Sequence, residues 1–132
     1  MKYFVAGTFD CFHVGHQHLL WTAAREASSI TIIIARDQTV EKIKNKKPLH
    51  DELSRLARVQ DECFQNAEIL LGREDFDFLQ TLQDAAPDVL FLGYDQRIDE
   101  EKIKKHFPDL ILRRAIPYYP EFFKSSKFRI EV

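Results

Sequence analysis

Residues 30–35 (ITIIIA) carry no charge and are mostly β-branched. The run has the length of a strand, and because it is apolar at nearly every position it lacks the alternation of a strand with one wet face. It therefore suits a strand buried on both sides, as in a parallel sheet covered by two layers of helices. Weaker apolar runs at residues 2–6 (KYFVA), 68–71 (EILL), 88–92 (DVLFL) and 109–113 (DLILR) read as four more strands. Between them the spacing predicts helices. One covers roughly 14–28, with Leu20, Ala23, Ala24 and Ala27 on one face and an end at Ser28-Ser29. A second follows an Asp51 N-cap and buries Leu53, Leu56, Ala57, Cys63 and Phe64. A third spans 75–85 and buries Phe76, Leu79 and Leu82, and a short polar helix lies near 99–106. Strict alternation of strand and helix points to an α/β fold: a doubly wound, Rossmann-like, five-stranded parallel sheet, with the expected order 3-2-1-4-5.

The chain length of 132 residues fits a single domain over 1–132, closed by an irregular tail at 115–132. Hydrophobic residues at 45% and charged residues at 30% indicate a folded chain, and a formal charge of −2 argues against nucleic acid as a partner. Cys11 and Cys63 are too few for a disulfide framework and lack CxxC spacing. No apolar stretch approaches the roughly 20 residues of a membrane span, so no membrane partner and a cytoplasmic location are expected. The basic cluster 42–47 (KIKNKK) falls between the second strand and the Asp51 helix.

Open parallel sheets bind ligands at the carboxyl ends of their strands, where the strand order reverses. In the expected order that point lies between strands 1 and 4. The loops that follow them, 7–16 and 93–96, are the most crowded with glycine and polar residues. Gly7 turns the chain off the strand, and Gly15 permits close approach to the helix start. His13 and His16 are three apart and share one side of the first helical turn, where unpaired N–H groups favour phosphate. Two imidazoles there can donate to phosphate oxygens; the bland alternative is that His13 caps the helix and His16 packs under a loop. His18 adds a third imidazole but points to another side of the helix, and no cysteine or carboxylate completes a tetrahedral set with these histidines, so no metal site, zinc included, is expected.

The run GTFDCFHVGHQHLL resembles the GTFD…HxGH opening of the cytidylyltransferase-like nucleotidyltransferases. ARDQTV, KKPLHDELSR, LGYDQ and KSSKFR recur in the same order, so the resemblance covers nearly the whole chain. The ARD and LGYDQ segments are most similar to archaeal-type FAD synthases. Glycerol-3-phosphate cytidylyltransferases are similar up to the Asp51 helix but then carry GDD-like and RTEGIST-like segments absent here.

The resemblance implies transfer of a nucleotidyl group from ATP to FMN with release of pyrophosphate, or the CTP-dependent reaction on glycerol phosphate. It further implies Mg²⁺ carried with the triphosphate, and a homodimer. Carried over by position, His13, His16, Lys47 and Arg129 would act on the phosphates. Gly7, Thr8, Phe9, Asp10 and Gly15 would form the loop under the nucleotide, with Asp10 bracing its turn or organising magnesium. Gly93, Asp95 and Gln96 would line the nucleoside pocket, and Ser125 and Ser126, with Arg129, would hold the β- and γ-phosphates. Arg55 is expected to order the basic loop. Lys47 as solvated charge and Asp95 as a helix cap are the plainer readings. A nucleotide-binding module without turnover is the rival from another class.

Overall fold

The computed structural model describes residues 1–116, which form one five-stranded, all-parallel sheet in the order β3-β2-β1-β4-β5. The strands are β1 (Lys2–Gly7), β2 (Ser29–Ile34), β3 (Ala67–Leu71), β4 (Val89–Leu92) and β5 (Ile111–Arg114), and the helices are α1 (Val14–Glu26), α2 (Asp37–Lys44), α3 (Glu52–Gln60), α4 (Phe78–Ala85) and α5 (Glu100–His106). The expected topology is the observed one.

The period of two along each strand divides the core between the faces of the sheet. Tyr3, Val5, Ile30, Ile32, Ile34, Val89 and Phe91 pack with Leu20, Ala23 and Ala24 of α1 and Val59 of α3. Phe4, Ile33, Leu90 and Leu92 turn the other way, onto Leu82 of α4 and Ile103 of α5. The central strands are therefore apolar on both sides because both sides are covered. Glu62 holds the first pair of helices together, accepting hydrogen bonds from Gln17 (3.2 Å) and Trp21 (3.0 Å) of α1 and Arg58 (3.0 Å) of α3.

Three local expectations change. The basic cluster is not all loop, because Lys42 and Lys44 close α2, an eight-residue helix ended by Asn45 in the left-handed region (φ 58°). Leu53 is 65% exposed, Ala57 is exposed and Cys63 lies exposed beyond the helix end; α3 instead rests on Arg55, Val59 and partly buried Leu56. Phe76, at φ 61°, lies before α4 and outside the core, under the ammonium of Lys42 at 4.8 Å.

Candidate active site

The two loops expected to matter leave neighbouring strand ends, since β1 pairs directly with β4. The side-chain amide of Gln96 joins them, donating to Ala6 O (3.1 Å) while its oxygen accepts the N–H of Gly93 (3.2 Å). This amide stitches the point at which the strand order reverses. Asp95 is exposed on the same loop, next to Gln96. Arg114, at the end of β5, fastens the loop from the far side. Its guanidinium donates to Gly93 O (3.1 Å) and Gln96 O (2.7 Å) and pairs with Glu100 (2.9 Å).

On the β1 side, Gly7 leaves room for an aromatic ring, because a Cβ there would stand 3.0 Å from two ring carbons of Phe9. Phe9 itself is buried at φ 55°, so it supports the loop from beneath. Asp10 accepts the N–H groups of Leu49 (2.7 Å) and His50 (3.0 Å), bracing the segment before α3. Burial pushes this carboxyl upward, but those two N–H bonds outweigh it and hold its pKa below the ordinary value.

His13 is the N-cap of α1, and its imidazole accepts the N–H of Gly15 at Nδ1 (3.0 Å). His16 reciprocates, with Nδ1 accepting the N–H of His13 (3.2 Å). The pair thus builds a capping box from two imidazoles, a part usually played by Ser or Thr with Glu. Because both Nδ1 atoms accept, each neutral ring carries its proton on Nε2, on the edge away from the cap.

The rings stack with centroids 3.8 Å apart, and His16 also packs against Phe9 (5.7 Å) and Phe12 (5.4 Å). Burial lowers the pKa of His13; burial, followed by the neighbouring His13, lowers that of His16 to about 3. Both are therefore neutral near pH 7, as Nε2–H donors at a helix N-terminus. The two plain alternatives raised by the sequence, capping and packing, hold together with this donor arrangement.

Arg55 is 1% exposed. It donates to His50 O (2.9 Å), Thr8 O (2.9 Å) and Ala35 O (2.7 Å) and pairs with Asp37 (2.7 Å), linking the ends of β1 and β2 to the start of α3. It orders the basic loop, as expected, and two further segments besides. Lys47 is exposed in that loop. Lys44, another member of the basic cluster, is brought to the β1 loop: its ammonium meets Thr8 Oγ1 at 3.3 Å, and its charge helps to depress His16. Ser125, Ser126 and Arg129 lie outside the described residues. Arg114 and Lys44 were missed because their contacts span 14–36 residues of sequence. No described helix is long and apolar enough to cross a membrane.

Residues 4–130 match the family model described as cytidylyltransferase-like. The chain is 36% identical over 105 residues to the FAD synthase of Thermoplasma acidophilum, covering 80% of this chain and 72% of that protein. To the FAD synthase of Thermoplasma volcanium it is 34% identical over 136 residues, covering 100% of this chain and 94% of that one. A solved structure, the lipopolysaccharide core biosynthesis protein from Thermoplasma volcanium GSS1, superposes with a TM-score of 0.79 at 31% identity, over 89% of this chain and 98% of that one. By its match from Phe4 to Ile130 and by these relatives, the chain belongs to the cytidylyltransferase-like family.

Proposed function

We propose that the protein is a nucleotidyltransferase that passes the adenylyl group of ATP to the phosphate of FMN, giving FAD and pyrophosphate. The observation that carries the chemistry is the His13–His16 pair, two neutral Nε2–H donors fixed by their own backbone bonds at the N-terminus of α1. The kinship with FAD synthases supports the choice of adenylyl group and acceptor.

A phosphate oxygen of FMN attacks the α-phosphorus of ATP in line. The bond from the α-phosphorus to the bridging oxygen breaks, and pyrophosphate leaves with that electron pair. The acceptor phosphate is already ionised at neutral pH, so the protein needs no general base. Its task is to position the reactants and neutralise charge. His13 and His16 donate to the triphosphate, and Lys44 and Lys47 bring positive charge from α2 and the loop behind it. The backbone of the Gly7–Asp10 turn and Gly15 underlies the nucleotide. Gly93 and Asp95 border the nucleoside, with Gln96 bridging behind them. Ser125, Ser126 and Arg129 hold the β- and γ-phosphates.

Magnesium travels with ATP on its phosphate oxygens. The candidate ligand cluster among the described residues, Asp10, Cys11 and His50, sets one carboxylate beside a thiol and an imidazole, a donor set that does not suit magnesium. In this reading the reaction belongs in the cytoplasm, and the family resemblance implies a homodimer.

Pyrophosphate release decides the assignment when ATP and CTP are each offered with FMN, glycerol 3-phosphate and phosphopantetheine. Turnover with ATP and FMN is expected. CTP with glycerol phosphate would reassign the substrates, and no release from any pair would leave a binding module.

A further inference from the structure

Where the loop after β1 meets the segment before α3, three side chains of different chemistry come together. One ligand atom from each of Asp10, Cys11 and His50 lies within 4.8 Å of the other two. Nucleotidyl transfer as derived above uses Asp10 as a brace and has no task for Cys11 or His50. We propose that these three side chains form a site for a thiophilic divalent cation of the zinc class, which fastens the β1–α1 loop to the segment preceding α3.

The donor set selects the ion. A thiolate, an imidazole and a carboxylate suit zinc, cobalt or cadmium, whereas magnesium and calcium require oxygen. Zinc bonds of about 2.0–2.3 Å place tetrahedral donors roughly 3.3–3.8 Å apart, so from separations within 4.8 Å the three atoms need to draw in by at most about 1.5 Å. The imidazole of His50 is exposed and can rotate to do so.

The frame around these donors is already held. The N–H of His50 is bonded to Asp10 Oδ1 (3.0 Å) and that of Leu49 to Oδ2 (2.7 Å), which fixes residue 50 against the loop that carries Cys11. Each carboxylate oxygen keeps a second lone pair for a metal. Three protein ligands leave the fourth position to water, the pattern of an open site. As the metal–sulfur bond forms, the thiol proton passes to solvent, so affinity rises with pH. The site is additional to the nucleotidyltransferase reading and does not depend on it.

The test uses the metal-free full chain, without nucleotide, titrated with Co²⁺ in buffer containing Mg²⁺. One equivalent is expected to saturate the protein, with a thiolate-to-cobalt charge-transfer band and the visible bands of a tetrahedral ion. One equivalent of Zn²⁺ should bleach both and raise the Tm. Cys11→Ser should abolish the charge-transfer band, and His50→Ala should weaken Co²⁺ binding by about tenfold or more. Cys63→Ser, which alters an exposed thiol, should change nothing. Circular dichroism of each variant checks that it folds. Saturation without a thiolate band, a band that survives in Cys11→Ser, or one lost in Cys63→Ser would overturn the proposal.

Discussion

Arg55 is a charge removed from water and compensated by three main-chain carbonyls and one carboxylate. Arg55→Leu leaves those carbonyls without a donor and Asp37 without its cation, so it should cost about 3 kcal/mol in urea unfolding. Arg55→Lys should recover little of this, since one ammonium cannot reach four separated acceptors. His16 allows structure and chemistry to be separated. In His16→Asn, the amide oxygen takes the place of Nδ1 and keeps the bond to the N–H of His13, while Nε2 is removed. The expected result is a Tm lower by a few degrees, because the ring packing on His13, Phe9 and Phe12 is lost, a nucleotide KM within a few-fold, and a kcat lower by about 10²–10³. A large rise in KM at unchanged kcat would mean that His16 serves binding alone. The histidine pair was legible because its logic is local, three residues apart on one turn. The burial of Arg55 was not legible, because an arginine in sequence looks like a solvated charge and its partners lie 18 to 47 residues away, apart from His50.

Among the elements, all five strands could be read from their apolar runs, and β2 above all, because two-sided burial leaves a plain signature. The helix α2 was harder. Val40 is its one buried residue, so it shows hardly any apolar stripe, and it is held by what flanks it instead. Glu52 accepts the N–H of Asp37 at its start (2.9 Å), and Asn45 stops it in a left-handed turn. That asparagine was the available signal. Phe76 and Leu53 were assigned to the core because apolar residues at helical spacing look alike whether or not a partner surface exists. Two connecting elements yield predictions. Asp10→Asn removes the charge that holds the segment before α3, so the amides of Leu49 and His50 should exchange with solvent about tenfold faster or more by NMR. Arg114→Ala frees the loop after β4 from its two carbonyl contacts, so the nucleotide KM should rise several-fold while kcat falls less. Equal losses in both would instead place Arg114 on the reacting phosphates.

Over the whole molecule, the depressed imidazoles link stability to pH. With a folded pKa of about 3 for His16 and an ordinary value near 6.5 when unfolded, the unfolded chain binds the proton first. The contribution of His16 is therefore complete above about pH 6.5 and declines as the pH falls toward 3, by up to about 1.4 kcal/mol per pH unit. His13 acts in the same direction. Urea unfolding across that range should show a steeper acid loss in the parent than in His16→Asn; identical slopes would mean that the buried imidazole is not what makes the fold acid-sensitive.

The bonds of Arg55 to Thr8, Ala35 and His50 carry a longer consequence, because they end on carbonyl oxygens, which every amino acid possesses. An anchor that ignores side-chain identity lets the surrounding loops exchange their residues without shifting position. Descendants of such a chain can acquire a taste for a different base or a different alcohol while the chassis beneath stays as it was.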